Sequence, residues 1–161
     1  MPIRLSAVLP FALAALLGAT SLPAAAQDAS VKSRLEARGI QHEVDEDGDF
    51  RITYNFKEEG RTQLVFVSGQ TQAVAGFTLR EVFSPAGRLD KDGIDGKKAL
   101  ELLADSRTNK LGSWETDGSV LYFVIKLPDS IDAAALESAM DIAASTADDM
   151  EIVLSGKRDD L

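Results

Sequence analysis

Residues 50–57 read Phe50-Arg51-Ile52-Thr53-Tyr54-Asn55-Phe56-Lys57. Apolar or aromatic residues alternate with polar ones at every step. Period two is the mark of a strand with one face buried and one face turned to water or a partner. Such a strand needs neighbours in a sheet and a layer against its apolar side.

Working outward, Asp45-Glu46-Asp47-Gly48-Asp49 precedes this strand, and Asp47-Gly48 is a hairpin signal. It links back to a weak strand over residues 41–46. Downstream, Glu58-Glu59-Gly60 turns the chain into a strand over 62–68. Within it Leu64-Val65-Phe66-Val67 is apolar on both parities, which predicts a central strand covered on both sides. A turn lies within 69–76. A further strand candidate runs over 77–83, and Ser84-Pro85-Ala86-Gly87 is expected to end it. Residues 109–114 lead into a second hairpin, whose turn is Asp117-Gly118. The strand over 120–127 is again apolar on both parities, and Pro128 stops it.

Three helices complete the pattern. Residues 28–38 place Val31 and Leu35 on one face, and Gly39 supplies a C-terminal stop. Residues 97–105, extended by Ser106, place Ala99, Leu102 and Leu103 together. The last helix begins near Asp132 with Asp129 or Ser130 as its cap, and carries the stripe Leu136, Met140, Ala143, Ala147 and Met150. Ile152-Val153-Leu154 reads as its last turn or as a short strand. The order is α-β-β-β(-β)-α-β-β-α. Hairpins dominate it, so the fold class is α+β with a mainly antiparallel sheet.

The chain has 161 residues, and residues 1–26 read as a secretory signal peptide. Arg4 is its positive start, and residues 5–17 are apolar apart from Ser6 and Pro10. Ala24-Ala25-Ala26 is a cleavage pattern. The apolar run is shorter than the ~20 residues of a spanning helix. Residues 27–161 form a single domain, expected in the periplasm or outside the cell, with no membrane association after cleavage. The absence of cysteine excludes disulfides, thiol catalysis and cysteine metal sites. The formal net charge of −9 argues against nucleic acid and against anionic membrane surfaces.

The chain resembles the YbjN-like family of bacterial sensory transduction regulators, itself similar in fold to type III secretion chaperones. The resemblance rests on Leu35-Glu36-Ala37-Arg38-Gly39-Ile40, the 45–50 hairpin, and the doubly apolar 64–67 strand. It continues through Ala99-Leu100-Glu101-Leu102-Leu103, residues 111–118, and the 121–127 strand before the last helix. The stretch 105–110 keeps an Asn where family members often have Asn and Trp. The resemblance implies a non-enzymatic binding, chaperone-like or regulatory role. Its implied partner is another protein or, as with the chaperone-like relatives, a second copy of the chain. It implies no cofactor and no catalytic residue.

The residues themselves offer few sites. Arg51, Thr53, Asn55 and Trp114 are the candidate partner-binding residues, the first three on the polar face of the 50–57 strand. Trp114, the sole tryptophan, fits equally at the base of its hairpin. Asp90, Asp92 and Asp95 are the candidate metal ligands. Counted from Asp90, Asp92 and Glu101 fall at positions 3 and 12 of a calcium loop, but Ile94 and Asp95 occupy positions 5 and 6. Asp95 fits equally as a helix cap. Asp45, Asp47 and Asp49 crowd one hairpin tip. His42, the one histidine, is expected at the surface and supports no triad or multi-histidine site. Three function classes follow: a binding module, a Ca²⁺-responsive envelope sensor, and a small hydrolase using carboxylates. No spacing selects a carboxylate pair for the last.

Overall fold

The computed structural model describes residues 29–156, 158, 159 and 161. The expected signal peptide at 1–26 lies outside the described residues. Helix α1 spans Ala29–Ala37. Five strands follow: β1 Glu43–Val44, β2 Phe50–Phe56, β3 Arg61–Val67, β4 Gln72–Val74 and β5 Phe77–Arg88. Helix α2 is Gly96–Ser106, β6 is Ser113–Asp117, β7 is Val120–Pro128, and α3 is Ala133–Ser155. The architecture is α+β with an antiparallel sheet, as the hairpin pattern predicts. The sheet order is β1-β2-β3-β5-β7-β6, with β4 paired to the start of β5. No described helix is long and apolar enough to cross a membrane.

Two boundaries differ from the sequence reading. β5 does not end at Phe83 but continues to Arg88, its register slipping between Pro85 and Gly87. Proline lacks the N–H a regular ladder needs, and a register slip is where a sheet tolerates it. The buried Gln63 amide donates to the Pro85 carbonyl at 2.6 Å and to Ser84 Oγ at 2.9 Å. The cap of α3 is neither Asp129 nor Ser130. It is Asp132, whose carboxylate accepts from the Ala135 N–H at 2.8 Å. Asp129 instead accepts from Arg80 at 2.6 Å and from Arg34 at 2.9 Å, tying α1 to the β7–α3 corner. Ile152-Val153-Leu154 is the last turn of α3.

The hairpins show their own chemistry. Asp117 pairs with Val120, so Gly118 and Ser119 are the central residues of the β6–β7 turn. Gly118 takes the first of these places at φ 54°, which a type II′ turn reserves for glycine. Asp47-Gly48 lies within the five-residue loop between Val44 and Phe50.

The core lies between one sheet face and the helices. Phe50, Ile52, Val65, Val67, Val82, Leu121, Phe123, Ile125 and Leu127 point into it from the strands. Val31 and Leu35 of α1 and Leu136, Met140, Ala143 and Ala147 of α3 meet them. The alanines let α3 lie close on the sheet. Two acids continue its buried stripe: Asp148 and Glu151 are 3% and 1% exposed. Both accept from the Arg61 guanidinium at 2.7 Å. Charges so buried need partners, and removing one partner leaves the rest uncompensated. Arg61→Ala is therefore expected to lower stability by about 3–5 kcal/mol, read as a shift in the urea unfolding midpoint.

Candidate functional site

Parity sorts the strand residues between two faces. The helices pack on one face. On the other, Thr53, Leu64, Phe66, Phe83, Tyr122 and Val124 follow from the observed pairing. The doubly apolar stretches 64–67 and 120–127 predict cover on both sides. Among the described residues, the helices supply it on one side only. Leu64, Phe66, Phe83 and Tyr122 are half-buried by their neighbours in the sheet, not by a second layer.

An aromatic row crosses this helix-free face. The Phe66 and Phe83 rings stack with centroids 5.2 Å apart, and Tyr122 meets Phe83 edge-on at 5.8 Å. Such cross-strand pairs stabilise a sheet while leaving ring faces and edges to solvent. The row forms the floor of a concavity of about 520 Å³. Asp45, Asp47 and Asp49 stand on one side of it, Glu115 and Asp117 on the other, and Glu81 between. A second concavity of about 380 Å³ adjoins it through Asp47, Asp49 and Glu81 and reaches the β4–β5 hairpin. Lys126 bridges the two carboxylates of its row, 2.8 Å from Glu115 and 3.8 Å from Glu81.

The 45–49 loop is held in place by its own acids. Asp45 accepts from the Asp47 and Asp49 N–H groups at 3.0 and 2.9 Å. Asp49 accepts from the Gly69 N–H at 2.8 Å. Only glycine fits at 69, because a Cβ there would stand 2.0 Å from the Gly48 carbonyl oxygen. Partial burial pushes the Asp49 carboxyl above its usual range. The Gly69 N–H opposes this, and Asp45 and Asp47 add to it by repulsion. The loop thus carries its charge at a cost.

The expected site residues divide. Arg51, Thr53 and Asn55 are exposed on the helix-free face, with Arg51 paired to Glu43. They lie on β2, beside the aromatic row. Trp114 is 7% exposed and faces the helices, away from the helix-free face, where it lines a concavity with Leu102 and Leu103 of α2. Its indole N–H donates to Asp105 at 2.7 Å and its ring meets Phe123 edge-on. The metal expectation is corrected. Asp92 accepts from the Arg88 N–H and from the Arg158 guanidinium, each at 2.6 Å. Partial burial would raise its carboxyl, but these two donors hold it below the usual range. Asp95 caps α2 through the Lys98 N–H at 2.9 Å, and Asp90 is exposed. Among the described residues no group of three His, Cys, Asp or Glu side chains is arranged to hold an ion, Asp45, Asp47 and Asp49 included. His42 is half-buried, with its ring tilted against Phe50 at 5.5 Å, rather than at the surface. The buried carboxylates among the described residues are Asp148 and Glu151, and both are engaged by Arg61.

Compared with known proteins, the chain matches no protein-family model. No curated protein matches it significantly.

Two results are expected from substitution. Trp114→Ala should cost about 3–5 kcal/mol, whereas Arg51→Ala, Thr53→Ala and Asn55→Ala should each stay within about 1 kcal/mol, all by urea unfolding. For Asp49, a folded-state pKa above the unfolded one means that its charge subtracts stability once pH exceeds the folded value. Asp49→Asn should therefore raise stability at pH 7, by under about 1 kcal/mol. The gain should vanish near about pH 3, where the carboxyl is protonated in both states. Urea titrations at the two pH values check this.

Proposed function

We propose that this chain is a non-enzymatic binding module that holds another polypeptide on the helix-free face of its sheet. The observation that carries the reading is the aromatic row Phe66, Phe83 and Tyr122, left without a covering layer among the described residues. A sheet face that is apolar yet unroofed loses hydrophobic stabilisation until something lies on it. The edge of the sheet supports the same reading. β1 pairs with β2 only at Arg51 and Phe50, so the outer side of β2 from Ile52 onward is free to take an added strand. Thr53 and Asn55 flank that edge on the open face.

The resemblance to YbjN-like regulators and to chaperones of the type III secretion class points in the same direction, towards binding without catalysis. The expected export would place the encounter in the periplasm or beyond the cell. A second copy of the chain is one partner that such a surface would take.

The test is site-specific photocrosslinking in cells. A photoreactive residue at Thr53 or Asn55 should yield a discrete adduct with another polypeptide, or a dimer of the chain. The same residue at Ser145, exposed on the outer side of α3, should yield none. Adducts from Ser145 alone would refute this surface.

A further inference from the structure

This inference rests on the binding reading above and names the chemistry of the partner. We propose that the concavity between the 45–49 loop and the β6–β7 hairpin docks an arginine-rich segment of a partner polypeptide. Its guanidinium planes would lie on the aromatic floor, and its charge would be taken up by the rim carboxylates.

The faces and edges of Phe66, Phe83 and Tyr122 form one continuous surface, with ring centroids 5.2 and 5.8 Å apart. An aromatic face attracts a cation, and arginine in particular, whose planar guanidinium stacks while its N–H groups still reach carboxylates. The same floor gives apolar side chains between the arginines somewhere to lie.

The carboxylates around this floor stand on three separate pieces of the chain: the 45–49 loop, β5 and the β6–β7 hairpin. No lysine or arginine lines the concavity. Lys126, at its border, is taken by Glu115 and Glu81. Asp47 and Asp117 are exposed, and among the described residues neither side chain makes a hydrogen bond or an ion pair. The Asp49 carboxylate, disfavoured by partial burial and further by Asp45 and Asp47, would be relieved by a cation.

The concavity, floor and rim together, crosses β3, β5, β7 and β6, a width of about 14 Å at ordinary strand spacing. Four or five extended residues span about that distance. A basic peptide with alternating apolar residues thus matches both the width and the mixed character of the site.

The experiment is a fluorescence-anisotropy titration of the chain with a labelled synthetic peptide of alternating arginine and leucine. Binding should be saturable at about 50 mM salt and weaken by about tenfold or more at about 0.5 M. A lysine-for-arginine peptide should bind severalfold more weakly, and a glutamate-for-arginine peptide should not bind. The double variant Asp47→Asn/Asp117→Asn, which disturbs no hydrogen bond of the fold, should weaken binding by about fivefold or more. Phe83→Leu should weaken it as well, at unchanged charge. Asp149→Asn, exposed on α3, should have no effect.

Equal binding by Asp47→Asn/Asp117→Asn and the unsubstituted chain would overturn the proposal. So would spermine binding as tightly as the peptide, because a polyamine would then satisfy the site. If the peptide fails while Thr53 and Asn55 still crosslink to a partner, this inference falls and the binding module stands. If those crosslinks are also absent, both fall.

Discussion

Arg61 stands at the beginning of β3 and runs under α3, where Asp148 and Glu151 receive it at 2.7 Å each. Burying three charges is expensive in desolvation, and tight pairing recovers the cost only in one geometry. That geometry sets which residues of α3 face the sheet. With Asp148 and Glu151 inward, Leu136, Met140, Ala143 and Ala147 fall on the same stripe and meet Val65, Phe123 and Ile125. The Asp129 carboxylate, held between Arg34 and Arg80, does the equivalent for α1 at the other end. Once both are docked, the helices belong to one side of the sheet.

The other side inherits the consequence. β3 and β7 carry apolar residues on both parities, and among the described residues only one parity has helices to meet. Phe66, Phe83 and Tyr122 shelter one another instead. The carboxylates around them keep that surface hydrated and negatively charged.

Much of this was legible in the residues. The alternation of 50–57 places Arg51, Thr53 and Asn55 outside, and the structure agrees. The hairpin spacing identifies an antiparallel sheet. Other features were hidden for physical reasons. Pro85 reads as a strand end because local rules cannot see the register slip that accommodates it. Nothing in the local sequence marks Asp148 and Glu151 as buried, because their partner is nearly ninety positions away in the chain. Trp114 offers a binding surface or a hairpin base with equal ease, and only Asp105 and Phe123 decide between them. The aromatic row is present in sequence as the second parity of 64–67 and 120–127. Its exposure depends on how many helices are available to cover the sheet, which no single strand reports. The spacing of Asp90, Asp92 and Asp95 resembles a calcium loop, but Arg158 and the start of α2 claim two of the three.

The placement of α3 also bears on how the chain acquires its structure. All seven strands precede it in chain order, and its contacts with β3 and β5 span long stretches of sequence. Closing such long loops is slow, because the entropy of bringing distant segments together must be overcome before their contacts stabilise anything. Until residues 133–155 have been synthesised, the sheet lacks the longest of the helices that cover its apolar side. The nascent chain therefore passes through a stage with much of its apolar core surface bare, when self-association competes with folding. Helix α3 ends that stage by arriving last.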